Sequence, residues 1–222
     1  MSTSSASYHH GDLPAALVRA AIELLEEGGA ADLSLRAAAR RAGVSASAPY
    51  RHFADRDALL SAVAAVGYRE LGAALVQAHP APKTPDDLAD IAVAYVRFAL
   101  TRPGLFRVMF GSACDPTTPE RVAAVDAIHE YLNLIVQQTL PGADPEAMPT
   151  AMWALVHGLA FLHLDGKFDA SPDQQMAERV RAAVRAVLQA APATAGSRRP
   201  DRRPATPATP ATSTRRSRAV RD

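Results

Sequence analysis

The sequence predicts an all-helical protein in which a small N-terminal helical domain precedes a larger helical domain. Apolar residues recur at helical spacing, as in Leu13, Leu17, Ala21 and Leu24, whereas the alternation typical of a half-buried strand is scarce. Glycine and proline divide an alanine- and leucine-rich chain into segments of helical length. With 222 residues, 48% of them hydrophobic, the chain can form one medium-sized domain or a small domain joined to a larger one.

Capping residues mark the predicted helix boundaries. The N-terminal helices are predicted from Leu13 to Gly28, from Leu35 to Arg41 after the cap Ser34, in a short segment ending at Phe53, and after Asp55 as far as His79. Four later helices start where a capping side chain precedes a proline, at Thr84-Pro85, Thr118-Pro119, Asp144-Pro145 and Ser171-Pro172. Ser171 and Gln174 also have capping-box spacing. A further short helix is predicted from Pro103 to Gly111.

Charge is unevenly distributed along the chain. After residue 190 there are eight arginines and two acidic residues, whereas the preceding part has 16 basic and 21 acidic residues. The tail includes the repeat PATPATPAT and has too little apolar bulk to offset its ordering entropy, so residues 192–222 are predicted to be disordered. Its arginines either attract DNA non-specifically or serve solubility alone.

Several functional classes are disfavoured by composition. Charged and polar residues interrupt every apolar stretch before about 18 residues, so no membrane segment is expected. The polar start from Met1 to Ser7 is unlike a secretory signal, and the single Cys114 excludes an internal disulfide and a multi-cysteine metal site. No glycine-rich phosphate loop or catalytic spacing is present, so we expect no enzyme, no cofactor, no metal and a cytoplasmic location.

A helix-turn-helix is predicted in the segment SLRAAARRAGVSASAPYRHF, residues 34–53. Two short helices flank a tight turn at Ala42-Gly43-Val44, and such a second helix presents its N-terminal side chains to the DNA major groove. If Ser47 caps this helix, Pro49 falls in the first turn, where proline is tolerated. Residues 34–56 hold five arginines against Asp55 alone, which suits phosphate contact or an ordinary solvated face.

Each predicted DNA-contacting residue has a chemical role. Arg36 and Arg56 pair with phosphates, and Ser34, Ser45 and Tyr50 donate hydrogen bonds to phosphate oxygens. Arg51 contacts guanine, and Ala46, Ser47 and Ala48 are small enough to approach base edges or thymine methyls. His52 lies with Tyr50 and Arg51 near the start of the second helix, the end that points at DNA. Leu35, Ala38, Val44 and Phe53 are expected to lock the motif to the first helix.

Residues 9–66 resemble the DNA-binding domain of the TetR/AcrR (tetracycline-repressor) family. Ala42-Gly43-Val44-Ser45, Tyr50, Phe53, Asp55 and Arg56 match the family pattern in order. The opening Tyr8-His9-His10-Gly11-Asp12-Leu13 and the later Trp153, His157 and Gly158 resemble a branch named for its Trp-His-Gly (WHG) domain. Where many members have an aliphatic residue, this chain has Pro49.

The resemblance implies the domain organisation and a small-molecule effector. The predicted parts are an N-terminal arm (1–10), a helix-turn-helix domain (11–56), a connecting helix (57–79), a helical ligand-binding and dimerisation domain (85–190) and the tail. The predicted ligand pocket consists of Tyr95, Phe98, Phe106, Met109, Phe110, Tyr131, Trp153 and His157. Trp153 and His157 share one helix face, and the alternative reading is that they are core residues.

The family also implies a homodimer on double-stranded DNA. Helices 145–165 and 172–190 carry apolar stripes that would form the dimer interface: Met148, Met152, Leu155, Leu159 and Leu162, and Met176, Val180, Val184 and Val187. A two-fold dimer reads a palindromic operator. The expected function is a ligand-responsive repressor, in which the connecting helix transmits ligand binding to the readers. The alternative functions are a DNA-binding dimer without a ligand and, less favoured, an enzyme.

Overall fold

The computed structural model describes residues 12–111 and 117–190 and confirms the all-helical fold class. Within these residues there are eight α-helices and no strand: α1 (Leu13–Gly28), α2 (Leu35–Arg41), α3 (Arg56–Ala78), α4 (Pro85–Thr101), α5 (Pro103–Phe110), α6 (Pro119–Thr139), α7 (Ala147–Leu164) and α8 (Asp173–Ala190). A 3₁₀ helix, Ala48–Arg51, lies between α2 and α3. The predicted N-terminal arm, Cys114 and the predicted tail lie outside the described residues.

The N-terminal three-helix unit is built as its caps predict. The Ser34 hydroxyl oxygen accepts a hydrogen bond from the Ala37 N–H at 3.1 Å and starts α2. Gly43 ends the turn after α2 with a φ of 70°, a conformation that costs glycine little. Leu35, Ala38 and Phe53 are buried against α1, which holds the motif to the first helix as predicted.

The second short helix of the motif differs from the prediction. Ser47 makes no capping hydrogen bond, and only Ala48–Arg51 is helical, as a 3₁₀ turn. The reason is backbone conformation: an N-cap needs an extended backbone, whereas Ser47 has φ −90° and ψ −16° and lies inside a turn closed by the Ala48 N–H on the Ser45 carbonyl. The N–H groups of His52 and Phe53 both donate to the Pro49 carbonyl at 2.9 Å and end the segment.

Helix α3 connects the two halves of the molecule. The Asp55 carboxylate accepts from the Ala58 N–H at 2.8 Å and caps its start. Its predicted apolar side is buried throughout, at Leu59, Leu60, Val63, Gly67, Leu71 and Leu75. It packs on α1 and also on α4, α5 and α6, so it contacts both halves of the molecule.

The second half surrounds α4, which is buried on several sides as its two apolar stripes predict. Thr84 and Asp87 form a reciprocal capping box at its start. The Asp144 carboxylate accepts from the Glu146 and Ala147 N–H groups before α7, whereas Thr118 makes no capping side-chain hydrogen bond before α6.

Helix α8 packs antiparallel on α4. Three ion pairs join the two helices: Arg97 with Asp173, Arg181 with Asp90, and Arg185 with Asp86. Met176, Val180 and Val184 are fully buried, so these members of the predicted dimer stripe are used inside the chain itself.

Helices α3 and α7 are long and apolar enough to cross a membrane by length and composition, contrary to the expectation that no stretch reaches that length. The interior helix of a folded domain meets the same two criteria. Of the most apolar window, 56% is buried in α3 but only 33% in α7. Helix α3 is thus a core helix, whereas α7 keeps an apolar side that this chain does not cover.

Candidate nucleic-acid interface and ligand cleft

The segment from Ser45 to His52 forms an exposed head on the N-terminal unit. Ser45, Ala46, Ser47, Arg51 and His52 are exposed, and Tyr50 is 52% exposed. Pro49 and Phe53 are buried beneath them and fix the turn. The Ser45 and Ser47 hydroxyl oxygens lie 3.3 Å apart, and a hydroxyl retains further donor and acceptor capacity. The structure therefore brings six of the nine predicted DNA-contacting residues onto one protruding surface.

The five arginines of this region divide into two groups. Arg41 binds Glu23 and Glu27 of α1, and its hydrogen bond lowers the pKa of Glu27. Arg56 donates to the carbonyls of Leu33 at 2.9 Å and Ala30 at 2.6 Å and so holds the loop before α2, while its phosphate contact stays a prediction.

The other three are exposed, with Arg51 inside the head and Arg36 and Arg40 on α2. Within the described part of the chain they have no hydrogen-bond or ion-pair partner, which leaves them able to contact an anion. Ser34 caps α2 through its oxygen, and its hydroxyl proton remains able to donate to a phosphate.

A cleft opens in the second half between α3, α4, α6 and α7. Three adjoining compartments share Trp153 in their walls. The inner compartment is almost entirely apolar, with walls that include Leu88, Ile91 and Met152, and its free space is about 40 Å³. Small-molecule sites are commonly concave and largely apolar, with a few polar groups.

Three of the eight predicted pocket residues line the cleft, and the other five lie outside its walls. Tyr95, Phe110 and Trp153 line the compartments. The others do not line them: Phe98, Phe106, Met109, Tyr131 and His157. Phe106 and Met109 are fully buried because α5 packs closely on α3, where a Cβ on Gly67 would lie 2.6 Å from the Met109 sulfur. Aromatic bulk therefore marked the core of this domain as well as its cleft.

His157 lies behind the cleft, at the centre of an aromatic cluster. Its Nδ1 is 2.9 Å from the Tyr95 hydroxyl oxygen, and its ring centroid is 4.4 Å from that of Phe110 and 4.9 Å from that of Phe161. Burial lowers the pKa of His157 and raises the pKa of Tyr95 well above its usual range. Both groups are therefore favoured in their uncharged forms, and the hydrogen bond fixes the two rings relative to each other.

Helix α6 supplies cleft residues that were not predicted, namely Arg121, His129, Leu132 and Asn133. A signal existed in the sequence, since Arg121 is four residues before the apolar Val125 and eight before His129, on one helix face. The Arg121 guanidinium lies 6.0 Å from the Tyr68 ring centroid, and its Nε is buried with no hydrogen-bond partner among the described residues. No cluster of metal-ligating side chains occurs in the described ranges.

An ionic joint connects the head-bearing unit to the second half. Glu26 of α1 accepts from the Arg102 Nε at 3.2 Å and from the Gly104 N–H at 3.2 Å, at the N-terminus of α5. Arg102 also donates to Glu70 of α3 at 2.7 Å. At Gly104 the backbones approach so closely that a Cβ would lie 2.3 Å from the Leu25 carbonyl oxygen.

Two regions of the sequence match descriptions of one protein family. Residues 17–63 match "Bacterial regulatory proteins, tetR family", and residues 88–187 match "Tetracyclin repressor-like, C-terminal domain". The first region contains α2 and the exposed head, and the second contains three of the four helices around the cleft.

Individual relatives agree with this match. An HTH-type transcriptional regulator of Mycobacterium tuberculosis is 36% identical over 108 residues, which cover 46% of this chain and 46% of the relative, so the match spans about half its length. A solved protein of unknown function from Rhodococcus sp. RHA1 is 35% identical, with a TM-score of 0.71. The match covers 84% of this chain and 99% of the Rhodococcus chain. The TetR-like regulator LfrR from Mycobacterium smegmatis, solved in complex with proflavine, is 21% identical, with coverage of 78% and 94% and a TM-score of 0.57, which shows the fold alone.

Proposed function

The chain belongs to the TetR family of transcriptional regulators, and from this premise we propose that it is a cytoplasmic, non-enzymatic repressor that binds a palindromic operator as a homodimer and responds to a small molecule. The observation that carries the proposal is the exposed head from Ser45 to His52. Arg51 within this head and Arg36 and Arg40 of α2 are exposed and have no hydrogen-bond or ion-pair partner within the described residues. Exposed cations without an intramolecular acceptor favour contact with phosphates and bases.

Within this head we assign sequence reading to Arg51 and positioning to its neighbours. Arginine can bind guanine through two parallel hydrogen bonds, which discriminate against the wrong base by about 1–3 kcal/mol. Tyr50, Ser45 and Ser47 can donate to phosphate oxygens, while Ala46 is small enough for close approach to the bases. His52 borders this surface and is exposed, as a contact residue needs to be.

We propose that the dimer forms through the outer faces of α7 and α8. On α7, Ala151, Gly158 and Leu162 are exposed at helical spacing, and a Cβ on Gly158 would meet nothing within 4 Å in this chain. On α8, Ala182 and Ala186 are exposed on the side away from α4. A partner's helices would cover the apolar side of α7, and small residues allow close helix approach.

The ligand response would follow from unequal affinity of an effector for two arrangements of the dimer. The cleft is the proposed effector site, and the proflavine complex of LfrR is an example of a ligand bound in this fold. Tyr68 of α3 lines the cleft, so α3 is one route from the cleft to the head. Helix α5 contacts both α3 and α1 and is hydrogen-bonded to Glu26, so it is a second route.

Selection of binding sequences from a random duplex library at physiological salt tests the central proposal. Wild-type protein should enrich one palindrome, and Arg51→Ala should relax the preference at one position in each half-site. Lys83→Ala, which removes an exposed cation before α4 that lies outside both the head and the proposed interface, is the control and should enrich the wild-type palindrome. Failure of a folded, dimeric wild-type protein to enrich any sequence would refute the proposed reading function.

A further inference from the structure

We propose that the cleft selects an amphipathic organic anion, with a carboxylate bound by Arg121 and an apolar body that passes Trp153 into the inner compartment. This inference rests on the proposed function, because it names the effector class for the same cleft. It depends on three observations: the unsatisfied guanidinium of Arg121, the absence of acidic side chains from the described cleft walls, and the change from polar to apolar surface along the cleft.

Arg121 differs from the arginines that bind within this chain. Arg41, Arg56, Arg102 and Arg107 each donate to a carboxylate or a carbonyl. The Arg121 Nε, in contrast, is buried without a hydrogen-bond partner among the described residues. A buried donor left without an acceptor is costly, and a ligand carboxylate supplies an acceptor that matches the planar fork of a guanidinium.

The charges around the cleft favour an anion over a cation or a neutral ligand. The walls of its three compartments contain Arg121 and His129 and, over the described residues, no aspartate or glutamate. A cationic ligand would meet Arg121 with no acidic side chain to offset the repulsion. A neutral ligand without an acceptor would leave the Nε unsatisfied.

The polarity gradient fixes the orientation of such a ligand. Arg121 and His129 lie in the compartment bounded by Tyr68 and Phe110, while the inner compartment is lined by Leu75, Leu88, Ile91, Ile135, Met152 and Val156. Both share Tyr95, Leu132 and Trp153 in their walls, so the two compartments adjoin, and we propose that one molecule extends from one into the other. Its apolar part would then be removed from water against aliphatic side chains, which favours binding.

Three probes of equal length test the head-group preference: decanoate, decanol and decylamine. Trp153 is the single tryptophan of the chain and lines the cleft, so its fluorescence reports occupancy directly. We expect decanoate to bind at least about tenfold more tightly than decanol, as a charged hydrogen bond implies, and decylamine to bind weakest. Arg121→Gln should abolish the preference for decanoate over decanol while leaving decanol affinity near the wild-type value.

Arg107→Gln is the matched control, because Arg107 also lies over an aromatic ring, that of Phe161, but pairs with Asp165 outside the cleft. It should keep the preference for decanoate. If Arg121→Gln does not fold, as judged by circular dichroism, Arg121→Lys keeps a cation and should retain a reduced preference. Equal affinities for decanoate and decanol, tighter binding of decylamine, or no fluorescence response to any probe would overturn the inference.

Binding of the same samples to the selected duplex separates this inference from the proposed function. A protein that binds duplex but shows no decanoate preference keeps its regulatory function and loses the assigned effector class. A protein that prefers decanoate but enriches no duplex keeps the cleft assignment and loses the proposed DNA-reading function.

Discussion

Burial lowers the pKa of two histidines in the second half, His157 and His163. His163 is 4% exposed, and within the described residues neither of its ring nitrogens has a hydrogen-bond partner. Its neighbours include the Phe168 ring, Arg179 and Asp169. Both imidazoles are thus favoured in the neutral form, His163 mainly by desolvation and additionally by the positive charge of Arg179.

This arrangement predicts a stability that depends on pH. Unfolding returns each imidazole to its ordinary pKa of about 6.5, so the unfolded chain binds more protons below that pH. The free energy of unfolding should therefore fall as the pH is lowered through about 6.5 toward the lower folded-state pKa values. Thermal unfolding of wild type and His163→Leu across this range checks the prediction. The variant should show a shallower pH dependence and a higher Tm at mildly acidic pH, and parallel curves would contradict it.

Arg36 and Arg56 should respond differently to truncation. Arg36 is exposed and free of described partners, so Arg36→Ala should weaken duplex binding and reduce the salt dependence by about one phosphate contact. Arg56 ties α3 to the loop before α2 through two carbonyls, so Arg56→Ala should lower the Tm of the N-terminal unit. Binding at several salt concentrations and thermal melts distinguish the two. An unchanged Tm in Arg56→Ala would contradict this structural role of Arg56.

Among the helices, α5 depends most on close backbone packing. At Gly104 the N-terminus of α5 contacts the end of α1, and a Cβ there would lie 2.3 Å from the Leu25 carbonyl oxygen. This oxygen belongs to the backbone and cannot move aside as a side chain can. Gly104→Ala should therefore reduce the free energy of unfolding by about 1–3 kcal/mol. The matched control is Gly72→Ala within α3, where nothing lies within 4 Å of the added Cβ. It should stabilise the protein by about 0.5–1 kcal/mol, and urea unfolding that ranks the two variants in the opposite order would refute this account.

Most helix boundaries were predictable because they are set locally. Ser34, Asp55, Thr84 and Asp144 satisfy backbone N–H groups within three residues of themselves, so the sequence alone indicates their roles. The 3₁₀ helix at Ala48 was not predictable in the same way, because two serines could both act as caps and only the backbone conformation decides between them.

The cleft depended on information that periodicity does not carry. Phe106 and Phe110 are both bulky and only one turn apart on α5, yet Phe106 is core and Phe110 lines the cleft. The packing of α4, α6 and α7 decides which aromatic side chains line the cleft, and this packing depends on contacts between residues distant in sequence. For the same reason, the place of Arg121 in the cleft wall depends on how α6 packs beside Tyr68 and Trp153.

For the molecule as a whole, the proposed dimer predicts a specific sensitivity at Gly158. A Cβ at Gly158 meets nothing within 4 Å among the described residues, so we expect the monomer of Gly158→Leu to fold. At a close helix–helix interface the added side chain should separate the subunits, and sedimentation should show a monomer that no longer binds a palindromic duplex tightly. Ala127→Leu enlarges an exposed position of α6 outside the proposed interface and should remain dimeric. A dimeric Gly158→Leu would place the interface elsewhere.

Glu26 joins the N-terminal unit that carries the head, here called the reader, to the second half of the molecule. Its carboxylate accepts from Arg102 and from the N-terminal N–H groups of α5, where a negative charge is also stabilised by the helix dipole. Glu26→Gln keeps the shape but weakens every one of these interactions. We expect calorimetric unfolding to change from one cooperative transition to two, with the reader melting first. Glu23→Gln, which affects only the pairing with Arg41 inside the reader, should retain a single transition. A single transition in both variants would mean that apolar packing along α3 alone joins the two halves, and that the Glu26 joint is dispensable for transmitting the effector signal.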